Sequence, residues 1–410
     1  MTVTGAPRLF LAVVLCGALC CFAAGYAETG QKGPEGEEEL PVEVDVERIH
    51  ARIDPEIELT IPSGRFHLLF EEDFRKLHAR FGLNYEFLDN AINGSFRFSR
   101  PLGRLDLGVR FYDGIDFENF LNPEIQNGDI VLQESDEYVQ RDTGVELDVS
   151  APLYTLQDGK AGKKEQGLFV KGAFKLNETF RGDLDRAKVI DEGRDLILIS
   201  NLFYKGVRNK QSPLGSIPVG TFASTLLEMR YRHDFGEPVA LDHKNQFVHY
   251  NDFFKNLSFT ANASLSYPIA VWRDDIATFY TLGGYDTIRG FRKNSIGAFR
   301  YLLLSTDVEY LIKSMKADIP EFFTLDFRLT QIRLLFLVDG LFSQNSLSTD
   351  SPVRARVSMG AGVTLVFVEG KKRHYTLRFY AAQALERGET PMLYLSITSS
   401  RFKLRESMEF

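Results

Sequence analysis

From Phe81 to the end of the chain, apolar and polar residues alternate with a period of two. Phe81, Leu83, Tyr85 and Phe87 alternate with Gly82, Asn84 and Glu86. Leu105, Leu107, Val109 and Phe111 alternate with Asp106, Gly108 and Arg110. Leu257, Phe259, Ala261, Ala263, Leu265 and Tyr267 alternate with Ser258, Thr260, Asn262, Ser264 and Ser266, and Val357 to Phe367 and Tyr375 to Ala381 repeat the pattern. Successive side chains of a strand point to opposite faces, so each segment predicts a strand with one apolar and one polar face. The polar face carries mid-strand charge at Arg97, Glu146, Asp148, Lys171, Glu228, Arg230, Arg232, Asp307 and Glu309. A soluble sandwich would turn that face to bulk water. A membrane barrel would turn it to a wet lumen and its apolar face to lipid, and period two is compatible with both. Segments of about ten residues or more, long enough to cross a bilayer with tilt, favour the barrel. So do the aromatics near segment ends, at Phe98, Phe111, Tyr112, Tyr154, Phe203, Tyr204, Tyr267, Phe279 and Tyr280.

The predicted fold is therefore all-β, a transmembrane antiparallel barrel. Counting from Phe81 gives about 14 strands, and Ile57 to Gly82 raises this to about 16 if it contributes two. That stretch has two readings: Phe70, Phe74 and Leu77 sit at helical spacing, whereas Glu58 to Ile61 and Phe66 to Leu68 read as strands. Leu121 to Glu137 and Phe235 to Asn251 are polar and long, and read as outward-facing loops. Ahead of the barrel (residues 57–410), residues 28–56 are rich in Glu, Gly and Pro and read as an acidic flexible tail. Residues 1–27 place Arg8 before an apolar run from Leu9, followed by Gly25-Tyr26-Ala27. That is the pattern of a cleaved secretory signal peptide.

Composition narrows the chemistry. The formal net charge is -8, which offers no electrostatic footprint for nucleic acid. The three cysteines, Cys16, Cys20 and Cys21, lie inside the predicted signal, so the mature chain has no thiolate for a disulfide or a metal site. Beyond the signal no apolar run reaches the roughly 18 residues of a membrane helix. Spanning the membrane then requires a closed barrel, because every strand's backbone groups must be paired in lipid. No metalloprotease, nucleophile-elbow or phosphate-loop motif is present, and no catalytic residue, cofactor or metal is expected.

One segment stands apart: Thr281-Leu282-Gly283-Gly284-Tyr285-Asp286-Thr287-Ile288-Arg289-Gly290-Phe291-Arg292. The glycines Gly283, Gly284 and Gly290 permit tight turns and close approach of backbones. Arg289 presents a planar fork of donors suited to a carboxylate in a partly desolvated lumen, and Phe291 can wedge against a wall. The segment resembles the Leu-Gly-Gly…Val-Arg-Gly-Phe/Tyr signature of the BamA/TamA outer-membrane assembly family, also called the bacterial surface antigen family. The resemblance implies a long extracellular loop that folds back into the barrel, its Arg reaching a carboxylate on the inner wall. Five strand-like segments follow the motif, as in that family. Ser305 to Tyr310 resembles the family's strand with a Glu-Tyr pair, and Leu337-Val338-Asp339-Gly340-Leu341 partly resembles its Phe-x-Asp-x-Gly strand. Asp339 is the first candidate partner of Arg289 and Glu309 the second. The terminal Phe410 resembles an insertion signal of barrel proteins. Too few residues separate the signal from the first strand for a periplasmic POTRA domain, so the expectation is a POTRA-less member.

These readings imply a bacterial outer-membrane protein that is not an enzyme. It would aid insertion or transport of polypeptides or lipids, with outer-membrane lipids, a polypeptide client or a periplasmic accessory protein as partners. Two other functions fit the same pattern: a passive small-solute porin, and a surface-exposed structural or adhesin barrel. The sequence does not determine the oligomeric state.

Overall fold

The structure is a computed structural model. It describes residues 56–61, 65–74, 79–86, 91–118, 121–126, 129–134, 138–156, 166–183, 188–212, 215–254, 256–273, 279–284, 287–292, 295–318, 327–348, 350–369, 373–386 and 390–399. The predicted signal peptide, nearly all of the acidic tail and Phe410 lie outside the described residues.

The chain is built from strands: β1 (Glu56–Ile61), β2 (Arg65–Phe74), β3 (Ala79–Glu86), β4 (Ala91–Leu102), β5 (Leu105–Glu118), β6 (Leu121–Gln126), β7 (Asp129–Glu134), β8 (Tyr138–Leu156), β9 (Gln166–Asp183), β10 (Lys188–Lys205) and β11 (Arg208–Ser212). There follow β12 (Gly215–Arg232), β13 (Glu237–Phe254), β14 (Leu257–Val271), β15 (Tyr280–Leu282), β16 (Ile296–Ala298), β17 (Arg300–Asp318), β18 (Phe327–Gln344), β19 (Arg354–Glu369), β20 (Arg373–Ala384) and β21 (Met392–Ser399). A one-turn 3-10 helix, His233–Phe235, joins β12 to β13.

One 17-stranded sheet holds all but two short hairpins, β6–β7 and β15–β16. Neighbours in this sheet are antiparallel and follow chain order. Among the described residues the short β11 pairs with β12, as a hairpin extension of the sheet. The ambiguous stretch before Phe81 forms β1 and β2, with Phe70 and Phe74 both on β2. β1 is hydrogen-bonded to β2 on one side and to β21 on the other, from Ile57↔Ile397 to Ile61↔Leu393.

The two faces of the sheet are inverted relative to a soluble protein. Along β18, Phe336, Val338 and Phe342 are 50%, 49% and 43% exposed, while Leu335, Leu337, Asp339 and Leu341 between them are at most 2% exposed. The same outward apolar face continues through Phe96, Phe98, Phe111, Leu147, Phe174, Leu176, Phe247, Leu304 and Phe379. The enclosed face carries Glu146, Asp148, Asp195, Arg230, Arg232, Asp242, Glu309, Arg333 and Asp339, all buried. Charged side chains are almost never fully buried unless paired, and a continuous apolar exterior suits lipid rather than water. The exposed apolar face favours the barrel over the soluble sandwich, the two readings that period two left open.

One of the two loop expectations is corrected. Phe235 to Asn251 is not a loop: most of it is β13, paired along its length with β12 and β14. Its outward residues include His243 and His249, and its inward ones Asp242, Lys244 and Gln246, so apolar alternation is lost. These polar groups are held across strands. His243 shares hydrogen bonds with Thr225 at 2.8 Å and Tyr267 at 2.7 Å, His249 with Thr221 at 3.0 Å, and Lys244 pairs with Glu228 at 2.7 Å. The segment Leu121 to Glu137 contains the β6–β7 hairpin.

The aromatic belt is also thinner than its residue types suggest. Phe111 and Tyr204 face outward, but their neighbours Tyr112 and Phe203 must face inward. Tyr112 donates to Asn177 at 2.6 Å, and Phe203 stacks between Phe169 and Phe222.

A candidate functional site where an inward loop meets the wall

The motif segment lies in the connection between β14 and β17, whose two legs pair as the β15–β16 hairpin. The turns of this connection need glycine. Gly283, Gly284 and Gly290 have φ of 115°, 92° and 85°, a region that side-chain-bearing residues rarely adopt. Gly283 N–H donates to Thr287 Oγ1 at 2.6 Å, and Gly284 N–H to the Phe291 carbonyl at 3.1 Å, which closes the segment on itself. A Cβ at Gly290 would come within 2.9 Å of the Ala384 backbone nitrogen and the Gln383 carbonyl carbon, so glycine lets the segment touch β20.

Arg289 follows from that approach. Its backbone N–H donates to Asp339 Oδ2 at 2.9 Å, its Nε to the same oxygen at 2.8 Å, and its Nη2 to Asp339 Oδ1 at 2.6 Å. The remaining arm, Nη1, lies 2.7 Å from Asp307 Oδ1. Asp339, on β18, has no exposed surface. Asp307 stands on the adjacent β17 on the same face, because Ser305 is the register partner of Asp339 and successive even steps share a face. A bidentate guanidinium–carboxylate pair shielded from water is among the stronger polar contacts a protein makes. One residue further, Gly290 N–H donates to Tyr394 Oη at 2.9 Å on β21, and Tyr394 stacks on Tyr380 of β20 at 4.9 Å. Phe291 is 2% exposed and packs in a buried cluster with Leu282, Ile288, Leu303, Leu341 and Ala384. The segment is therefore held to β17, β18, β20 and β21 together.

The wall has a shape that receives it. Leu337 packs where Gly360 of β19 lacks a side chain, and Tyr380 packs against Gly362, where a Cβ would collide with it. Glu309, the second candidate partner, faces other cations, Arg333 at 2.7 Å and Arg378 at 2.9 Å, and accepts a hydrogen bond from the Thr364 hydroxyl at 3.2 Å. Sequence reasoning named Asp307 as an enclosed charge without linking it to Arg289. Its two-residue spacing from the register partner of Asp339 is visible only once pairing is known. Nothing in the sequence marks Tyr394.

The legs of the loop reach the remaining wall through aromatic faces. Arg181 of β9 lies 5.5 Å over the Phe279 ring, and Lys244 of β13 lies 5.7 Å over Tyr280. Such cation–ring contacts are weaker than the Arg289 fork. The chemistry of the arrangement is that of a fastening, in which a connection between strands is fixed to the sheet by a charged key, a backbone contact and an apolar wedge.

No protein-family model matches the chain, and no curated protein matches it. Solved structures do. BamA from Haemophilus ducreyi lacking POTRA domains 1-3 is similar at a TM-score of 0.55 and 13% identity, over 85% of this chain and 70% of that one. CdiB from Acinetobacter baumannii is similar at 0.54 and 12%, and CdiB from Escherichia coli at 0.56 and 12%, each over 85% of this chain. The chain spans 59% and 62% of the two CdiB chains. At these identities the likeness concerns fold: the chain has the β-barrel fold shared by BamA and CdiB.

Proposed function

We propose that this protein is a closed β-barrel of the bacterial outer membrane that aids insertion or transport of polypeptides or lipids. The observation that carries the reading is the Arg289 fork on Asp339 and Asp307, which fastens an inward Gly-Gly…Arg-Gly-Phe loop to the wall as the resemblance to the BamA/TamA family implies. The outward apolar face supports a membrane setting, and the pairing of β1 with β21 supports closure. That seam is short. It runs over Ile57 to Ile61 only, whereas β18 and β19 pair from Phe327 to Ser343. β1 is joined as briefly to β2, from Glu56 to Thr60, so an opening beside β1 would part fewer ladder hydrogen bonds than one elsewhere, while the loop holds β17, β18, β20 and β21 together. The protein would reach its membrane through signal-peptide cleavage, and work beside outer-membrane lipids, a polypeptide client or a periplasmic accessory protein.

Depleting the protein in its native cell and profiling the outer-membrane proteome tests the reading. A broad fall in other barrel proteins, or loss of one client, is expected. An unchanged proteome with altered uptake of small solutes would replace it with a passive channel.

A further inference from the structure

The β6–β7 hairpin leaves the sheet between β5 and β8, yet its tip does not stay there. Ile130 N–H donates to the Asn345 carbonyl at 2.8 Å, and Asp129 forms an isolated antiparallel bridge with Ser346. Asn345 and Ser346 lie in the turn from β18 to β19. In strand order, β9, β10, β12, β13, β14 and β17 separate β8 from β18, while β20, β21, β1, β2, β3 and β4 separate β19 from β5. The two attachment points are therefore opposite one another in a closed barrel, and the hairpin has to cross the mouth to join them.

The tip is held by more than backbone. Ile130 is 5% exposed and packs with Phe299, which is fully buried, beside Val271, Phe279 and Leu347. Phe279 and Phe299 flank the inward loop at its two ends, and their rings meet edge-on at 6.5 Å. Ile130 also sits directly on Gly297 of β16, where an added Cβ would run into its Cγ2. An isoleucine at the end of an external hairpin is ordinarily in water. Here it is buried against the legs of the loop that carries Arg289.

We propose that the β6–β7 hairpin is a strap across the mouth that holds the Arg289 loop in its docked position, so that the loop leaves the wall only after the hairpin lifts. This rests on the closed-barrel reading given above. The loop is fixed twice, by the charged key in the interior and by an apolar clasp at the rim, and the second can open without breaking the first.

The test uses the full chain with Cys16, Cys20 and Cys21 replaced by Ala, reconstituted in planar bilayers in potassium chloride. Asp129 and Ser346 flank a non-hydrogen-bonded position, where Cα atoms of an antiparallel pair lie about 4.5 Å apart. An Asp129→Cys, Ser346→Cys pair should thus form a disulfide, read as a mobility shift on a non-reducing gel. Ile130→Ala and, separately, Gly297→Ala should raise the frequency of open events roughly tenfold, as expected for losing a well-packed contact. Oxidising the cysteine pair in an Arg289→Ala background should suppress the added conductance, and reduction should restore it. Failure of the disulfide to form overturns the strap, as does unchanged gating in both Ile130→Ala and Gly297→Ala. Unchanged conductance in Arg289→Ala, with the disulfide formed, instead overturns the plugged-barrel reading and leaves the hairpin as a crossing without a gate.

Discussion

The two sides of the enclosed face solve the same electrostatic problem differently. On the side formed by β4 to β13, three buried carboxylates are met by cations from nearby strands. Asp148 accepts from Arg97 at 2.9 Å, Glu146 from Lys171 at 3.2 Å, and Asp195 from both Arg230 and Arg232 at 2.7 and 2.6 Å. On the side formed by β17 to β21, Glu309 is treated in the same way by Arg333 and Arg378, but Asp339 and Asp307 turn to Arg289, which belongs to no strand of that wall. An ionised carboxylate without surface exposure is costly unless paired, and a buried pair broken from one side leaves that cost standing. Those ion pairs of the first wall are made without the loop. The second wall is complete only with the loop docked, so its charge balance and the loop's position are one property.

That difference sets the largest expected effect. Arg289→Ala strands Asp339 and should lower stability by about 3–5 kcal/mol, the range for breaking a buried ion pair. Asp195→Ala, which removes the carboxylate shared by Arg230 and Arg232 on the other wall, should cost a similar amount. The walls separate in a second readout: limited proteolysis should cut residues 272–299 faster in Arg289→Ala and at the unaltered rate in Asp195→Ala. Equal cleavage in both variants would erase the contrast between the walls.

A smaller effect is expected from Gly290→Ala. The new methyl meets the backbone of Gln383 and Ala384 and must adopt a φ of 85°, so the loop has to draw back from β20. A cost of about 1–3 kcal/mol follows from backbone strain of this kind. Thermal unfolding monitored by circular dichroism would measure it, and an unchanged midpoint would show that the loop does not press on β20.

The smallest effect belongs to Tyr394→Phe. It removes the acceptor of the Gly290 N–H while preserving the stack on Tyr380, and should cost about 1 kcal/mol in the same melt. A loss as large as that of Arg289→Ala would make the hydroxyl, rather than the guanidinium, the main fastening.

Much of this was legible in residue order. Alternation along Leu257 to Tyr267 and Val357 to Phe367 marks strands because the strand period is intrinsic to the backbone and needs no partner. Gly283, Gly284 and Gly290 stand out because only glycine suits positive φ, and Arg289 because its fork requires a carboxylate. Where side chains on both faces are polar, as at His243 and Lys244 of β13, the same signal fails. The partners that satisfy them, Thr225, Tyr267 and Glu228, belong to strands whose register no local window contains.

Residue order alone therefore establishes an all-β chain of long two-faced strands with one glycine-rich, arginine-bearing connection. Which face is enclosed, which carboxylates Arg289 reaches and where the β6–β7 hairpin lands depend on pairings between residues far apart in the chain. The Arg289–Asp339 bond spans 50 positions and the Gly290–Tyr394 bond 104. Contacts of that separation form only when the whole sheet has set its register, because each strand's position fixes the faces and heights of the next.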